Sequence, residues 1–255
     1  MKQTALILGA SGAFGKAIVE TLSERNYDFY LVYRERRQVA DLSEAFFDKI
    51  RKNGSQVTTF NANINDESAQ KSVIEKIKED KVKIQIYIHS VADGNIGDVF
   101  GESERKLDMQ GYIRTFTSMA ASFAGWAQLL SENELFDDNS RILGLTSEGS
   151  YRVLEKYMAV GMAKAALEAS CRYMAVEMAK RNITVNLINA GITDTPALKV
   201  FPSYTEMIEK AINRNPHGRL TTPQDIAKVV SFIASEDSAW ITGSIIRADG
   251  GEQLI

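Results

Sequence analysis

The chain has 255 residues, 44% of them hydrophobic, and a formal net charge of −3. That length suits one large α/β domain or at most two small ones, and the mild acidity excludes a global basic field for nucleic acid or an anionic membrane. A single cysteine, Cys171, allows no intrachain disulfide, and two histidines, His89 and His217, with no paired cysteines offer no zinc ligand set. No apolar run is long enough to span a bilayer, and Met1 leads straight into a strand pattern. The expected setting is therefore a reducing cytoplasm.

Short apolar runs alternate with longer helical patterns. Strands are predicted over Thr4–Leu8, Phe29–Tyr33, Val57–Phe60, Ile84–His89, Arg141–Leu145, Thr184–Ile188 and Ile245–Ala248. Helices are predicted over Ala13–Arg25, Arg36–Lys52, Glu67–Glu79, Glu104–Leu130 and Tyr157–Arg181. This is the pattern of an α/β chain, with a parallel sheet covered on both faces. The stretch from Ala190 to Thr221 reads as the only long irregular part. It holds Pro196, Pro202 and Pro216 but also Leu198, Val200, Phe201, Met207, Ile208 and Ile212. A segment so apolar fits a cover over a site, and it fits a core equally well.

Three stretches carry candidate chemistry. Between the first strand and first helix lies Gly9-Ala-Ser-Gly12-Ala-Phe-Gly15. There an open parallel sheet binds a dinucleotide pyrophosphate, with glycines admitting the backbone and the helix N-terminus offering N–H groups. Gly9, Ser11, Phe14 and Gly15 are the candidate contacts. The second strand runs into Arg34, Glu35, Arg36 and Arg37. A ribose 2′-hydroxyl usually meets an acid there and a 2′-phosphate meets cations, so three arginines against one acid favour the phosphorylated cofactor. The same arginines fit a solvated helical turn. Asn63 and Ile64 follow the third strand and could meet an adenine edge. In the third stretch, Tyr157 and Lys164 stand seven positions apart on a helix, hence on one face. A nearby ammonium favours phenolate, so the Tyr157 pKa is expected to fall.

With these features in place, the chain resembles the short-chain dehydrogenase/reductase superfamily along nearly its whole length. The resemblance rests on the glycine loop, His89-Ser90-Val91-Ala92, the Tyr/Lys helix, Asn189-Ala190-Gly191 with Thr195, Pro216-His217-Gly218-Arg219 and Ala248-Asp249-Gly250-Gly251. Most of that superfamily spaces its pair as Tyr-x3-Lys. The Tyr-x6-Lys spacing here resembles the enoyl-acyl carrier protein reductases, and Gly149–Tyr157 with Ala197–Lys199 and Phe201-Pro202 is similar to their NADPH-dependent bacillus type. Two departures stand out. Ser90-Val-Ala-Asp93 replaces the familiar Asn-Asn-Ala-Gly. Ser147 stands where many enoyl reductases carry a second tyrosine, with Tyr151 the nearby substitute.

The resemblance implies a single-domain doubly wound Rossmann fold, with a seven-stranded parallel sheet and a helical substrate-binding lid near residues 196–220. It implies an NADPH-dependent reductase, NADPH in preference to NADH, acting on the C=C bond of 2-enoyl thioesters of acyl carrier protein or CoA in fatty acid synthesis. Tyr157, Lys164 and Ser147 would be catalytic. Ser90, Val91, Lys164, Gly191, Thr193 and Thr195 would hold the nicotinamide end, and Tyr151, Leu198 and Phe201 the acyl group. No metal is implied, and the assembly would be a homotetramer. Two other readings remain open: a carbonyl or 3-oxoacyl-thioester reductase using the same pair, and a non-catalytic nucleotide-binding regulator. The basic helix Lys71–Lys83 reads as a solvated face, with docking of an acidic carrier protein as the alternative.

Overall fold

Period-two alternation in the strands decides the architecture. In β1 (Gln3–Leu8), Leu6 and Leu8 face one way and Ala5 and Ile7 the other, and all are fully buried. The sheet therefore needs cover on both faces. A computed structural model describes residues 2–100, 106–201 and 203–255, without the side chains of residues 37 and 38. The remaining strands are β2 (Tyr27–Tyr33), β3 (Val57–Asn61), β4 (Ile84–His89), β5 (Phe136–Thr146), β6 (Thr184–Ala190) and β7 (Ile245–Ala248). All pair in parallel in the order β3-β2-β1-β4-β5-β6-β7. The helices are α1 (Ala13–Ser23), α2 (Arg37–Lys52), α3 (Glu67–Glu79), α4 (Met109–Phe116), α5 (Ser122–Glu132), α6 (Met158–Met178), α7 (Tyr204–Arg214) and α8 (Pro223–Ile233). This is a single Rossmann-type domain.

Two cores sandwich the sheet. On one face Leu6, Leu8, Tyr87, Val185 and Leu187 pack with α3, α5 and α6 through Val73, Ile77, Phe123, Trp126, Leu167 and Cys171. On the other, Ala5, Ile7, Leu31, Ile88 and Ile188 pack with α1, α2 and α8 through Ile18, Leu22, Phe47, Ile226 and Val230. Each fully buried Leu, Ile or Phe contributes about 1.5–3 kcal/mol relative to exposure. α8 starts sharply because Thr222 and Asp225 form a reciprocal capping box ahead of Pro223. α1 has no side-chain cap at Gly12, so its first-turn N–H groups lack that partner. Strand order reverses between β1 and β4, and a groove opens at their C-terminal ends. Among the described residues no helix is long and apolar enough to cross a membrane.

The structure corrects the sequence expectations in four places. The predicted helix Glu104–Leu130 begins outside the described residues. Its described part is α4 and α5 joined by a π-helical turn, Thr117–Ala121. β5 begins at Phe136 rather than Arg141, because its pairing with β4 shifts between Ile84 and Ile86 and Asn139 adopts φ +67°. The helical pattern at Tyr157 starts one residue later, with Tyr157 as the N-cap of α6. The stretch that the pattern read as irregular contains α7, in keeping with the helical segment the resemblance implies near residues 196–220, and α8, which the pattern did not mark, follows it.

Candidate active site

Three elements bring the catalytic candidates together. Ser147 follows β5, Tyr157 caps α6 and Lys164 lies two turns along it. All three line one cavity of about 200 Å³. Ser147 Oγ and Tyr157 Oη are 3.1 Å apart. The buried Lys164 donates from Nζ to the Leu145 carbonyl oxygen at 2.7 Å. Burial lowers the Lys164 pKa to about 8, against a smaller upward pull from Glu168. The expected fall in the Tyr157 pKa is not found. Burial raises it, the Ser147 hydrogen bond lowers it less, and Glu148 adds a further rise. The phenol is thus a held proton donor rather than a standing phenolate.

The wall opposite comes from the loop after β6 and from α7. Leu198, Phe201 and Met207 line the cavity, and the Phe201 ring lies 5.8 Å from that of Tyr157. Beneath it sits a buried ionic cluster. Arg214, the last residue of α7, donates from one Nη to Glu148 at 3.0 and 3.1 Å and to Glu252 at 2.5 Å. Glu252 also accepts the Ile192 N–H at 2.9 Å. One guanidinium therefore fastens α7, the turn next to Ser147 and the C-terminal segment.

The groove at the sheet's switch point has a volume of about 480 Å³ and joins the catalytic cavity through Phe14, Ser90, Val91 and Thr195. Gly9, Ser11, Gly12, Arg34, Glu35, Asn63, Ile64 and Asp93 also line it. Its floor needs glycine: Gly9 has φ +80°, and a Cβ there would lie 2.2 Å from Ser90 O. Glu35 Oε2 is buried with no hydrogen-bond partner among the described residues. A backbone cradle at an uncapped helix start, with an unpartnered carboxylate at the end of β2, fits a dinucleotide with its pyrophosphate at the cradle and a ribose at the acid.

The sequence model of the enoyl-(acyl carrier protein) reductase family matches residues 9–253. The chain belongs to this family. It is 27% identical over 256 residues to 1-cyclohexenylcarbonyl-CoA reductase of Streptomyces collinus, covering 100% of this chain and 88% of the relative. It is 30% identical over 196 residues to an NADH enoyl-[acyl-carrier-protein] reductase of Nostoc, covering 75% and 72%. Among solved structures, angucycline C-6 ketoreductase LanV with bound NADP superposes with a TM-score of 0.85 at 26% identity, covering 99% of this chain and 96% of that one. The chain is thus an oxidoreductase-type short-chain dehydrogenase/reductase with a nicotinamide nucleotide as its cofactor.

Set against this reductase fold, the candidates fall into three groups. Gly9, Ser11, Phe14, Arg34, Asn63, Ile64, Ser90, Val91 and Thr195 line the groove, while Gly191 and Thr193 line the cavity with Ser147, Tyr157 and Lys164. Gly15 lies beneath: a Cβ there would meet Gly9 O at 2.4 Å, so its role is close packing. Arg36 caps α2, exposed and off the groove wall, and the Arg37 side chain lies outside the described residues. Tyr151 does not join Ser147. The residue is 57% exposed, its hydroxyl bonds Gln253, and it lines a separate surface hollow. Pro202 lies outside the described residues.

Sequence reading missed Glu148, Glu252 and Gln253 in the cavity and Ser118 in the groove, whereas Met207 belongs to the apolar segment it read as a cover. Ser118 lies in the π-helical turn, whose residues continue the helical pattern and so give no signal. His89 is a core residue: Nε2 meets Ser122 Oγ at 2.7 Å, and burial with the Lys164 charge lowers its pKa to about 3. Lys71, Lys76 and Lys78 of α3 pair with Glu75, Asp80 and Asn133, as a solvated face does.

Proposed function

We propose that this reductase uses NADPH to reduce the C=C bond of 2-enoyl thioesters carried on acyl carrier protein or CoA. The observation carrying this reading is the set Tyr157, Lys164 and Ser147 in one cavity whose far wall is Leu198, Phe201 and Met207. When bound, the reduced nicotinamide supplies a hydride to the β-carbon of the enoyl group. Negative charge then builds on the thioester oxygen. Tyr157 Oη is the donor for that oxygen, and its raised pKa keeps the proton in place until the charge develops. Ser147 can donate to the phenol oxygen and leave the phenol proton free for substrate. Lys164 has two protons beyond the one given to Leu145, enough to hold ribose hydroxyls and keep a positive charge beside the site. The apolar wall and α7 exclude water from the acyl chain.

The cofactor preference rests on Arg34 in the groove wall, which suits a 2′-phosphate. Consumption of NADPH over NADH with a crotonyl or longer enoyl thioester tests both halves of the reading. Cofactor binding without turnover of any thioester or ketone would leave a nucleotide-binding regulator instead. A second reading, reduction of a 3-oxoacyl ketone, is favoured by the Ser147–Tyr157 contact, since two hydroxyls 3.1 Å apart can address one carbonyl oxygen. Assaying ketone against enoyl substrate separates the two.

The reading also carries a homotetramer in the cytoplasm. Tyr173 and Val176, three residues apart on α6, and Trp240, 99% exposed, are apolar groups that a subunit contact would cover.

Lys164 sets the pH behaviour. Its charge is present below about pH 8 and is lost above it. The expected kcat/KM is flat from neutral pH to about 8, then falls by up to about tenfold per unit. A profile flat through pH 10 would show that the ammonium charge is not needed.

A further inference from the structure

Asp93 stands where the resemblance leads one to expect glycine, and the proposed chemistry gives it no task. It follows β4, whereas Arg34 follows β2. Between these strands lies β1, with Leu8 paired to Val32 on one side and His89 on the other. The groove opens at the end of β1, so Arg34 and Asp93 stand on opposite lips. They are joined across it: Arg34 Nη2 donates to Asp93 Oδ2 at 3.0 Å, with the side chains 50% and 32% exposed. The carboxylate has other supports. Ser118 Oγ, from the π-helical turn, donates to Oδ2 at 3.5 Å, and Arg114 of α4 approaches Oδ1 at 3.7 Å. Asp93 is thus held by the α4 side of the groove and need not travel with Arg34.

We propose that Asp93 is a specificity-determining residue that weakens NADPH binding relative to NADH by holding Arg34 across the groove. The inference rests on the reading in which Arg34 receives the 2′-phosphate. To take up a phosphate monoester, the guanidinium must leave a carboxylate that then faces the phosphate's own negative charge. A ribose with a free 2′-hydroxyl asks neither. Glu35, a second acid lining the same groove, acts in the same direction. Among the described residues that line the groove, Arg34 is the only cation and Asp93 and Glu35 are both acids, so neutralising Asp93 shifts the local balance toward positive charge. The pair is partly exposed, so the effect is modest and screened by salt.

The test is fluorescence titration of NADPH and of NADH into the full chain, as wild type, Asp93→Asn, Arg34→Ala and the double variant. The expected result for Asp93→Asn is an NADPH Kd lower by about threefold to tenfold and an NADH Kd within about twofold of wild type, the difference shrinking at about 0.5 M salt. The Asp93→Asn effect on NADPH should be smaller in the Arg34→Ala background, as a shared ion pair requires. Equal changes for both cofactors, or weaker NADPH binding, would overturn the inference. If Arg34→Ala weakens NADPH but Asp93→Asn leaves the ratio of Kd values unchanged, the cofactor reading stands and the inference alone falls. If Arg34→Ala leaves NADPH binding untouched, both fall. Melting temperatures near wild type confirm that each variant is folded.

Discussion

Tyr157→Phe is expected to lower kcat/KM for an enoyl thioester by about 10²–10³-fold, the usual cost of removing one donor aimed at a developing oxyanion. The change is clean because the ring stays. Phe keeps the packing against Phe201 and loses only the hydroxyl and its 3.1 Å contact with Ser147. That contact is worth about 0.5–1.5 kcal/mol to stability, so the melting temperature should fall by a few degrees at most. Cofactor affinity should hold, because Lys164 is fixed by Leu145 and not by the phenol. Stopped-flow or steady-state loss of reduced-cofactor absorbance, with a parallel binding titration, separates chemistry from binding. Activity within about threefold of wild type would place the donor elsewhere and withdraw the proposed mechanism. Ser147→Ala tests the neighbour. If Ser147 only orients the phenol, it should cost less than Tyr157→Phe, and if it addresses the substrate oxygen itself, the two losses should be alike.

The parts of the site that could be read in the sequence share a local origin. Gly9, Ser11 and Arg34 sit where β1 and β2 end, and apolar strands mark their own ends. Tyr157 and Lys164 share one helical pattern, so spacing alone brings them to one wall. What escaped depends on distant chain. Glu252 and Gln253 reach the cavity from the C-terminus, and Asp93 meets Arg34 across 59 positions. No window of sequence contains both members of such pairs. The π-helical turn at Thr117–Ala121 left no mark because its residues continue an ordinary helical pattern. The direction of the Tyr157 shift failed for another reason. Spacing shows that an ammonium is near but not how much water each group loses, and here burial is the largest cause. Asp137, Asp138 and Asn139 hid the start of β5, since turn formers read as a loop even where they join a strand through a local irregularity.

The same buried setting makes Arg214 the residue whose loss should cost most in stability. Glu148 and Glu252 are each less than a twentieth exposed, and Arg214 is the cation that bridges them. Arg152 also reaches Glu148, at 3.4 Å, but its own side chain is about half exposed. Arg214→Gln would leave two desolvated carboxylates facing each other, a change that typically costs about 3–5 kcal/mol. For a domain of this size that is a fall of roughly 10 °C in melting temperature. The pH dependence gives the electrostatic origin away. Burial already raises the Glu252 pKa, against pulls from the Ile192 N–H and Arg214. Removing Arg214 raises it further, so the folded variant binds a proton that the unfolded chain has released. Stability then falls as pH rises through the folded-state pKa, and the deficit against wild type should be larger at pH 8 than near pH 5. A packing defect would give the same deficit at both. Because Arg214 ends α7, which contributes Met207 to the cavity wall, the variant should also raise KM for long acyl substrates more than it lowers kcat. Arg214→Lys, which restores the charge without the planar fork, should recover part of the stability and most of the pH profile. Melting curves at the two pH values would decide the matter, and an equal shift at both would assign Arg214 to packing alone.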